Sequence, residues 1–363
     1  MSADERDEVP SPRANPYFIG HAAAEAALLA AWQSGRLPHG WLITGPRGVG
    51  KATLAFRFAK FLLAGAAGGQ GLFGGAPADL AVDPEQSAAR LAASGGHSDL
   101  LTIERSYDER NKRLRSEIVV EDVRQLGGFL HLTPGFGGWR IVVIDCADEM
   151  NRHAANAVLK LLEEPPRQAL LLLVSHAPGG LLPTIRSRCR RLALGPLADR
   201  EVAALLGRYR PGLAPADLDL LVRLAGGSIG RALALSDETG LTLCREVGEL
   251  LQSLPALDVM ALHAQADRFG RATGSDAFRT AGELVGDWLA RLVRAAATGE
   301  PPAERMPGEG AHMRRLLGAA RLDQWVALWE KVTRLIAGAD EADLDRRQLW
   351  ISALLAIEGQ VRR

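Results

Sequence analysis

Residues 40–63, GWLITGPRGVGKATLAFRFAKFLL, carry the clearest indication of how this chain folds. This segment opens with GWLIT, a short apolar run that predicts a buried strand. It closes with KATLAFRFAKFLL, whose apolar side chains recur at the spacing of an amphipathic helix. The glycine-rich residues between them depart at one position from the phosphate-binding pattern G-x-x-x-x-G-K-[S/T]. A strand, a glycine-rich loop and a helix in this order indicate a phosphate-binding loop.

The loop keeps the parts that hold a phosphate and lacks the part that holds a metal. Its glycines let backbone N–H groups converge on phosphate oxygens, and Lys51 adds a positive charge. Ala52 stands where a hydroxyl ligates magnesium, and Thr53 points about 100 degrees round the helix from that position. The same glycines also fit a strand-turn-helix that serves packing alone. The predicted nucleotide contacts are Gly45, Pro46, Arg47, Gly48, Val49, Gly50, Lys51, Ala52 and Thr53, joined by Asp145.

A second element of such sites lies in VVIDCADEM, residues 142–150. Asp145 ends a predicted strand, where related folds hold magnesium, and the next residue in them is a glutamate that activates water. Here the next residue is Cys146, which fits a small buried thiol. Asp148 and Glu149 come on the following turn, too late for the same position. Two parts of a hydrolytic apparatus are therefore missing, which points away from hydrolysis by this chain alone.

A third element is the arginine-rich stretch PTIRSRCRRL, residues 183–192. Its arginines are Arg186, Arg188, Arg190 and Arg191. An arginine can reach across an interface and stabilise the charge on a γ-phosphate. A solvated basic loop fits the same spacing equally well.

The order of the apolar runs predicts an α/β fold with a parallel three-layer sheet. Buried strands such as RIVVID and ALLLLVS alternate with helices such as NRHAANAVLKLLEE, and ligands bind at the carboxyl ends of such strands. After about residue 195 the pattern is helical throughout. The predicted organisation is a flexible tail at 1–14, the α/β domain at 15–195 with a Gly/Ala-rich insertion at 64–98, a small helical lid at 196–240, and a helical domain at 241–363.

Composition narrows the class of protein. Forty-three basic residues balance forty-three acidic ones, so no global charge draws the chain to nucleic acid or to a membrane. Three separated cysteines, Cys146, Cys189 and Cys244, argue against a disulfide framework and against a cysteine-based zinc site. The acidic N-terminus has no apolar signal core, and no apolar run is long enough to span a bilayer. We therefore expect a cytoplasmic protein without membrane segments.

Several stretches taken together resemble the bacterial clamp-loader proteins of the AAA+ superfamily. The resemblance covers residues 15–240 in motif detail and continues more weakly to DLDRRQLW near the C-terminus. The run NAVLKLLEEPP, followed by the triplet Ser187-Arg188-Cys189, is its most specific part. The matching stretches are NPYFIGHAAAEAALLAAWQSGRLPHGWLITGPRGVGKATLA, GGHSDLL, WRIVVIDCADEMNRHAANAVLKLLEEPP and LLLLVSHAPGGLLPTIRSRC.

The resemblance is to the stator of the loader and not to its motor. The motor subunit carries a hydroxyl after the loop lysine, an Asp-Glu pair after the second strand, and a four-cysteine zinc module. This sequence has Ala52 and Cys146 at the first two points and no cysteine within 64–98. The resemblance thus implies ATP or ADP bound without hydrolysis and no zinc, and it leaves magnesium open. It also places Gly230, followed by Arg231, at the lid position called sensor 2, which implies that no working sensor 2 is present.

What the resemblance implies about partners follows from the stator role. The AAA+ domain and lid are followed by a helical collar that joins the δ and γ/τ subunits in a pentameric ring. Through that complex the subunit acts on a sliding clamp and primed DNA, as part of a DNA-directed DNA polymerase assembly. Arg188 is then an arginine finger that enters the ATP site of a neighbouring motor subunit.

Two alternatives remain open at this point. One is an active AAA+ ATPase of the γ/τ motor type, in which Thr53 takes the metal role and Asp148 or Glu149 positions water. The other is a stand-alone nucleotide-binding switch.

Overall fold

The computed structural model describes residues 9–67, 77–108, 113–135, 138–271, 275–341 and 344–362. The predicted tail at 1–14 and the predicted insertion at 64–98 are therefore described only in part, since residues 1–8 and 68–76 lie outside these ranges. The chain forms two compact units. The first comprises Met1–Pro211 and Ala225–Arg231, and the second comprises Gly212–Leu224 and Ala232–Arg363.

The first unit is built on a parallel five-stranded sheet with the strand order β2-β5-β6-β1-β7. Two further short strands, β3 and β4, form a separate antiparallel pair. Each residue of β1, β5 and β6 is buried, as expected of strands that are covered on both faces. The strands are β1 Gly40–Thr44, β2 Leu100–Ile103, β3 Tyr107–Asp108, β4 Arg113–Leu114, β5 Arg140–Ile144, β6 Ala169–Ser175 and β7 Arg190–Ala193.

Helices cover both faces of this sheet and make two apolar cores. On one face Leu54 and Phe58 pack with the side chains of β1 that include Trp41. On the other face Leu126 and Val158 pack against the opposite side of the same strands. The predicted three-layer α/β fold is confirmed. The helices of this unit are α1 Ala22–Gln33, α2 Lys51–Ala67, α3 Ser87–Ser94, α4 Val120–Val123, α5 Gln125–His131, α6 Arg152–Glu163, α7 Pro183–Arg188 and α8 Asp199–Tyr209.

The sheet brings the predicted site residues to one edge. Because all five strands run parallel, the carboxyl ends of β1, β5 and β6 lie at the same edge of the sheet. The phosphate-binding loop follows β1, Asp145 follows β5, and His176 follows β6. The helix α6 then starts with Asn151 as N-cap, whose side chain accepts the backbone N–H groups of His153 and Ala154.

The described part of the second unit is helical. Trp288, Trp325 and Trp350 are fully buried in it, and Arg291 forms a buried ion pair with Glu309. Its helices, of which α10 begins in the first unit, are α9 Pro215–Ala225, α10 Ile229–Ala234, α11 Glu238–Gln252, α12 Val259–Phe269, α13 Ser275–Thr298, α14 Glu309–Leu317, α15 Leu322–Glu341 and α16 Arg346–Val361.

The all-α character of the C-terminal part is as predicted, whereas the lid and collar boundaries at 196–240 and 241–363 stay a prediction. None of the helices in the described ranges has the length and apolar character needed to cross a membrane.

Candidate functional site

The phosphate-binding loop joins β1 to α2 and contains glycines at the positions where a side chain could not fit. Gly45 has a φ of 149° and Gly48 a φ of 72°, in the region that L-residues rarely adopt. A Cβ atom at Gly45 would lie 2.2 Å from the carbonyl oxygen of Leu194, and one at Gly48 would lie 2.3 Å from Ser228 Oγ. Both glycines are therefore required by the local packing as well as by the loop conformation.

A short segment of the first unit, residues 228–230, is bonded to this loop. The hydroxyl of Ser228 donates to the carbonyl oxygen of Arg47 at 2.8 Å, and the Gly230 N–H donates to the carbonyl oxygen of Gly48 at 2.9 Å. A Cβ atom on Gly230 would lie 2.8 Å from the Cα of Gly48. The residue at the predicted sensor 2 position thus meets the loop backbone to backbone, and it has no room for a side chain.

The loop is also bonded to the N-terminal segment. The buried His21 donates from Nε2 to the carbonyl oxygen of Val49 at 2.8 Å. A Cβ atom on Gly50 would lie 3.5 Å from the ring of Phe18, which is ordinary van der Waals contact. The carbonyl groups of Arg47, Gly48 and Val49 are therefore all engaged by the chain itself.

Lys51 is buried and bonded within its own loop. Its Nζ donates to the carbonyl oxygens of Gly45 at 2.8 Å and Pro46 at 2.5 Å. Burial lowers the pKa of Lys51 to about 8, although the nearby carboxylate of Asp145 opposes this shift. The glycines and this lysine fit a phosphate, provided that the ammonium group exchanges the loop carbonyls for phosphate oxygens.

Ala52 fits no metal. Its methyl group packs against the apolar core that α2 shares with the sheet, and an alanine offers no oxygen to a cation. The residues present thus fit a phosphate and give magnesium no ligand at this position.

The position after Asp145 holds a neutral pair in place of a carboxylate. Cys146 adopts a left-handed backbone with a φ of 62°, and its Sγ lies 3.2 Å from Nε2 of His176. Burial raises the pKa of Cys146 to about 12 and lowers the pKa of His176 to about 4. Burial also raises the pKa of Asp145. At neutral pH both the thiol and the imidazole are therefore uncharged, and neither is a strong base.

The two other acidic residues of this element have partners in the chain. Asp148 accepts the backbone N–H of His176 at 2.9 Å. Burial opposes its ionisation, but the pKa of Asp148 is lowered because the backbone N–H of His176 donates to its carboxylate. Glu149 forms ion pairs with Arg47 at 3.1 Å and Arg105 at 2.9 Å. The orientation of both carboxylates is thus fixed by the chain itself, that of Asp148 by a backbone N–H and that of Glu149 by two arginines.

Comparison with known proteins identifies the family. A family profile described as "DNA polymerase III, delta subunit" matches residues 20–198. DNA polymerase III subunit delta' of Pseudomonas aeruginosa is 38% identical over 190 residues, which are 52% of this chain and 53% of that protein. The chain belongs to this family of DNA polymerase III subunits.

Other relatives carry related names. DNA polymerase III subunit delta' of Escherichia coli is 32% identical over 241 residues, which are 65% of this chain and 66% of that protein. The subunit tau/gamma of Haemophilus influenzae is 31% identical over 232 residues, which are 62% of this chain and 31% of that protein. The match thus spans about half of the Pseudomonas relative and a smaller part of the tau/gamma relative. A solved gamma subunit-related protein of Thermotoga maritima covers 92% of this chain and is itself covered over its whole length, with 19% identity and a TM-score of 0.44.

In this protein the four arginines of residues 183–192 have different surroundings. Arg190 stacks on the ring of Trp41 at 5.0 Å, and Arg191 donates from Nε to the Thr44 hydroxyl at 3.4 Å. Both are thereby attached to β1. All four side chains are exposed, and those of Arg186 and Arg188 lie on α7.

The structure brings Lys51, Asp145 and Cys146 close enough to influence one another's ionisation. Two contacts of this site were not expected from the sequence, namely the bond of His176 to Cys146 and the docking of Gly230 on the loop. The signal for the first was a histidine directly after the apolar run of β6. The signal for the second was the glycine-rich segment GGSIG.

Proposed function

We propose that this chain is a δ′ clamp-loader subunit, a cytoplasmic stator of the DNA polymerase III holoenzyme that does not hydrolyse ATP itself. The similarity to proteins named delta' and tau/gamma supports a place in that complex. The chemistry of the phosphate-loop site supports the non-hydrolysing role within it.

The observation that carries this proposal is the neutral Cys146–His176 contact, with its Sγ–Nε2 distance of 3.2 Å. A positioned general base contributes roughly 10²–10⁴-fold to a rate. Here the residue at the position of that base is Cys146, whose thiol is uncharged. Ala52 removes the metal hydroxyl independently. The site thus lacks both the general base and the metal hydroxyl that hydrolysis needs. The groups that bind a phosphate are still present, so the site supports nucleotide binding without hydrolysis.

The loop residues from Gly45 to Thr53, with Asp145 nearby, would hold ATP or ADP without hydrolysis. A bound nucleotide would supply an anionic phosphate group for Lys51 to neutralise. The chain offers no side-chain oxygen at Ala52 for magnesium, and among the described residues no cluster of three or more His, Cys, Asp or Glu side chains could hold a metal such as zinc.

The partners in this proposal are the δ and γ/τ subunits, arranged with this chain in a pentameric ring. The ring would open the sliding clamp and place it on primed DNA. Arg188 would enter the ATP site of a neighbouring motor subunit as an arginine finger, a role supported by its exposure at the end of α7. Such a finger accelerates hydrolysis by about 10³–10⁵-fold.

A hydrolysing motor subunit is the second candidate, and the intact glycines with Lys51 favour it. It requires Thr53 to take the metal role and Asp148 or Glu149 to position the attacking water. The stand-alone switch differs from both, because it predicts no stable association with loader subunits.

Turnover of ATP by the purified chain decides between stator and motor. We expect no turnover above background, with or without magnesium, and the same background for Lys51→Ala. Turnover that Lys51→Ala abolishes would refute the stator. A nucleotide titration with and without magnesium then tests binding separately, and co-purification with the δ and γ/τ subunits excludes the stand-alone switch.

A further inference from the structure

The guanidinium of Arg188 is held in one orientation by groups of its own chain. Its Nη2 lies 2.8 Å from Oε1 of Glu163, the last residue of α6. Its Nη1 donates to the carbonyl oxygen of Thr184 at 3.1 Å and lies 3.5 Å from the hydroxyl oxygen of Ser187. Two helices, α6 and α7, thus fix the direction of a surface arginine.

The backbone that carries Arg188 is itself anchored. Ile185 on α7 is fully buried and Cys189, the next residue after Arg188, is 9% exposed. Both pack in the core that α6 shares with the sheet. The base of the side chain therefore has a fixed position, and the contacts with Glu163 and Thr184 determine where its far end points.

This ion pair adds little to stability. The side chains of Arg188 and Glu163 are 37% and 43% exposed, and ion pairs at such sites contribute little to folding because solvent screens them. An arginine loses much rotamer freedom when it is held in one geometry. The ion pair with Glu163 thus restricts the Arg188 side chain but stabilises the fold little. Such a contact suits an arginine whose orientation matters for its function.

The remaining geometry leaves the arginine able to bind an anion. A guanidinium has five N–H groups in a planar fork, and the contacts above use at most three of them. The other N–H groups can donate to phosphate oxygens while Glu163 and Thr184 are still bonded. Arg188 therefore does not have to leave its partners in order to reach an anionic group.

We propose that Glu163 is a positioning residue for Arg188, which holds the guanidinium in the orientation that meets the γ-phosphate in a neighbouring subunit. This inference rests on the finger role proposed above for Arg188. Glu163 touches no substrate and acts only through the arginine. Its loss frees the side chain to sample other rotamers, so that the correct orientation becomes one of several.

The test measures steady-state ATP hydrolysis by the complete loader, assembled from the full chain with its δ and γ/τ partners. We expect Glu163→Ala to lower kcat about tenfold, which corresponds to about 1.4 kcal/mol, and to leave KM for ATP nearly unchanged. KM is unaffected because ATP binds in the loop of the motor subunit. Glu163→Asp keeps the carboxylate and restores kcat to within about threefold of the parent, since a positioned charge is retained.

The matched control is Glu164→Ala. Glu164 is the adjacent exposed residue, so this variant removes the same charge from the same helix end. We expect it to hydrolyse ATP like the parent. Thermal unfolding of both alanine variants should stay within about 2 °C of the parent, as for other exposed ion pairs.

A double variant shows whether the finger role of Arg188 or the positioning role of Glu163 is wrong. In the Arg188→Ala background, Glu163→Ala should cause no further loss, because the residue acts only through the arginine. If Arg188→Ala lowers kcat and Glu163→Ala does not, the positioning role is wrong and the finger stands. If Glu163→Ala raises kcat, the carboxylate restrains the arginine, and the inference is overturned. An unchanged rate for Arg188→Ala overturns both the finger and the inference.

Discussion

Replacing Gly230 by alanine tests the contact that closes the phosphate-binding loop. A Cβ atom there would lie 2.8 Å from the Cα of Gly48 and 3.5 Å from its carbonyl oxygen. The first distance is shorter than real Cβ contacts, and the atoms are backbone, so they cannot move aside as a flexible side chain would. Either the loop or the segment 228–230 has to shift.

The magnitude follows from three contributions. Overpacking a closely packed site costs about 1–3 kcal/mol. Loss of the hydrogen bond from the Gly230 N–H to Gly48 costs about 1 kcal/mol more. Because Gly230 lies in α10, the exchange of glycine for alanine returns about 1 kcal/mol of helix propensity. We expect the first unit to lose about 1–3 kcal/mol of unfolding free energy.

Gly207→Ala provides a control of opposite sign. Gly207 lies in α8 of the same unit, and a Cβ atom there would meet nothing within 4 Å. This variant should therefore gain about 0.5–1 kcal/mol from helix propensity alone.

The assay is hydrogen exchange of the intact protein in increasing urea, read from peptides of β6 and from the Gly230 amide. We expect Gly230→Ala to speed exchange at both places and Gly207→Ala to slow it in β6. Equal stabilisation by the two substitutions would show that Gly230 is not in backbone contact with the loop, and would refute the reasoning.

Two further predictions concern buried charges. Because burial lowers the pKa of Lys51 to about 8 from 10.5, the folded protein binds fewer protons than the unfolded chain between these values, and this lysine makes unfolding free energy rise with pH there. NMR of the ¹³C-methylated protein should show a lysine resonance that titrates near pH 8 and is absent in Lys51→Arg, whereas a midpoint above 10 would contradict this. Glu309→Gln removes the carboxylate that accepts two N–H groups of the buried Arg291 and leaves it only Asp287 as a charged partner, so it should destabilise the second unit by about 3 kcal/mol in urea unfolding. Asp276→Asn, at an exposed pair, should change it by less than about 0.5 kcal/mol.

The sequence predicts well those elements whose conformation depends on neighbouring residues in the chain. The run ALLLLV is apolar at every position and has the length of a strand covered on both faces, so the sequence predicts β6 with its last residue at Ser175. The loop from Gly45 to Lys51 was predicted for a similar reason. Its positive φ angles require glycines at fixed spacing, and that spacing is visible in the sequence.

The contacts that sequence did not predict join distant parts of the chain. Ser228 and Arg47 are 181 residues apart, and nothing local to either residue indicates that they meet. The pairing of Glu163 with Arg188 poses a related difficulty. Two glutamates stand side by side at the end of α6, and periodicity does not tell which of them faces α7. Only the three-dimensional packing of the helices selects Glu163.

The residues that stand at the positions of the expected hydrolytic groups all contact the surroundings of one loop, so their effects on the site depend on one another. The methyl group of Ala52 packs into the core, the thiol of Cys146 is bonded to His176, and the backbone of Gly230 lies against Gly48. At each of these positions a polar or charged group would have to displace a local contact before it could act on a nucleotide. The three contacts surround one loop. A substitution that restored one hydrolytic group would therefore also disturb the contacts at the other two positions. On the proposal that this chain does not hydrolyse ATP, the absence of hydrolysis is a property of how the loop is packed, and not of one substituted residue.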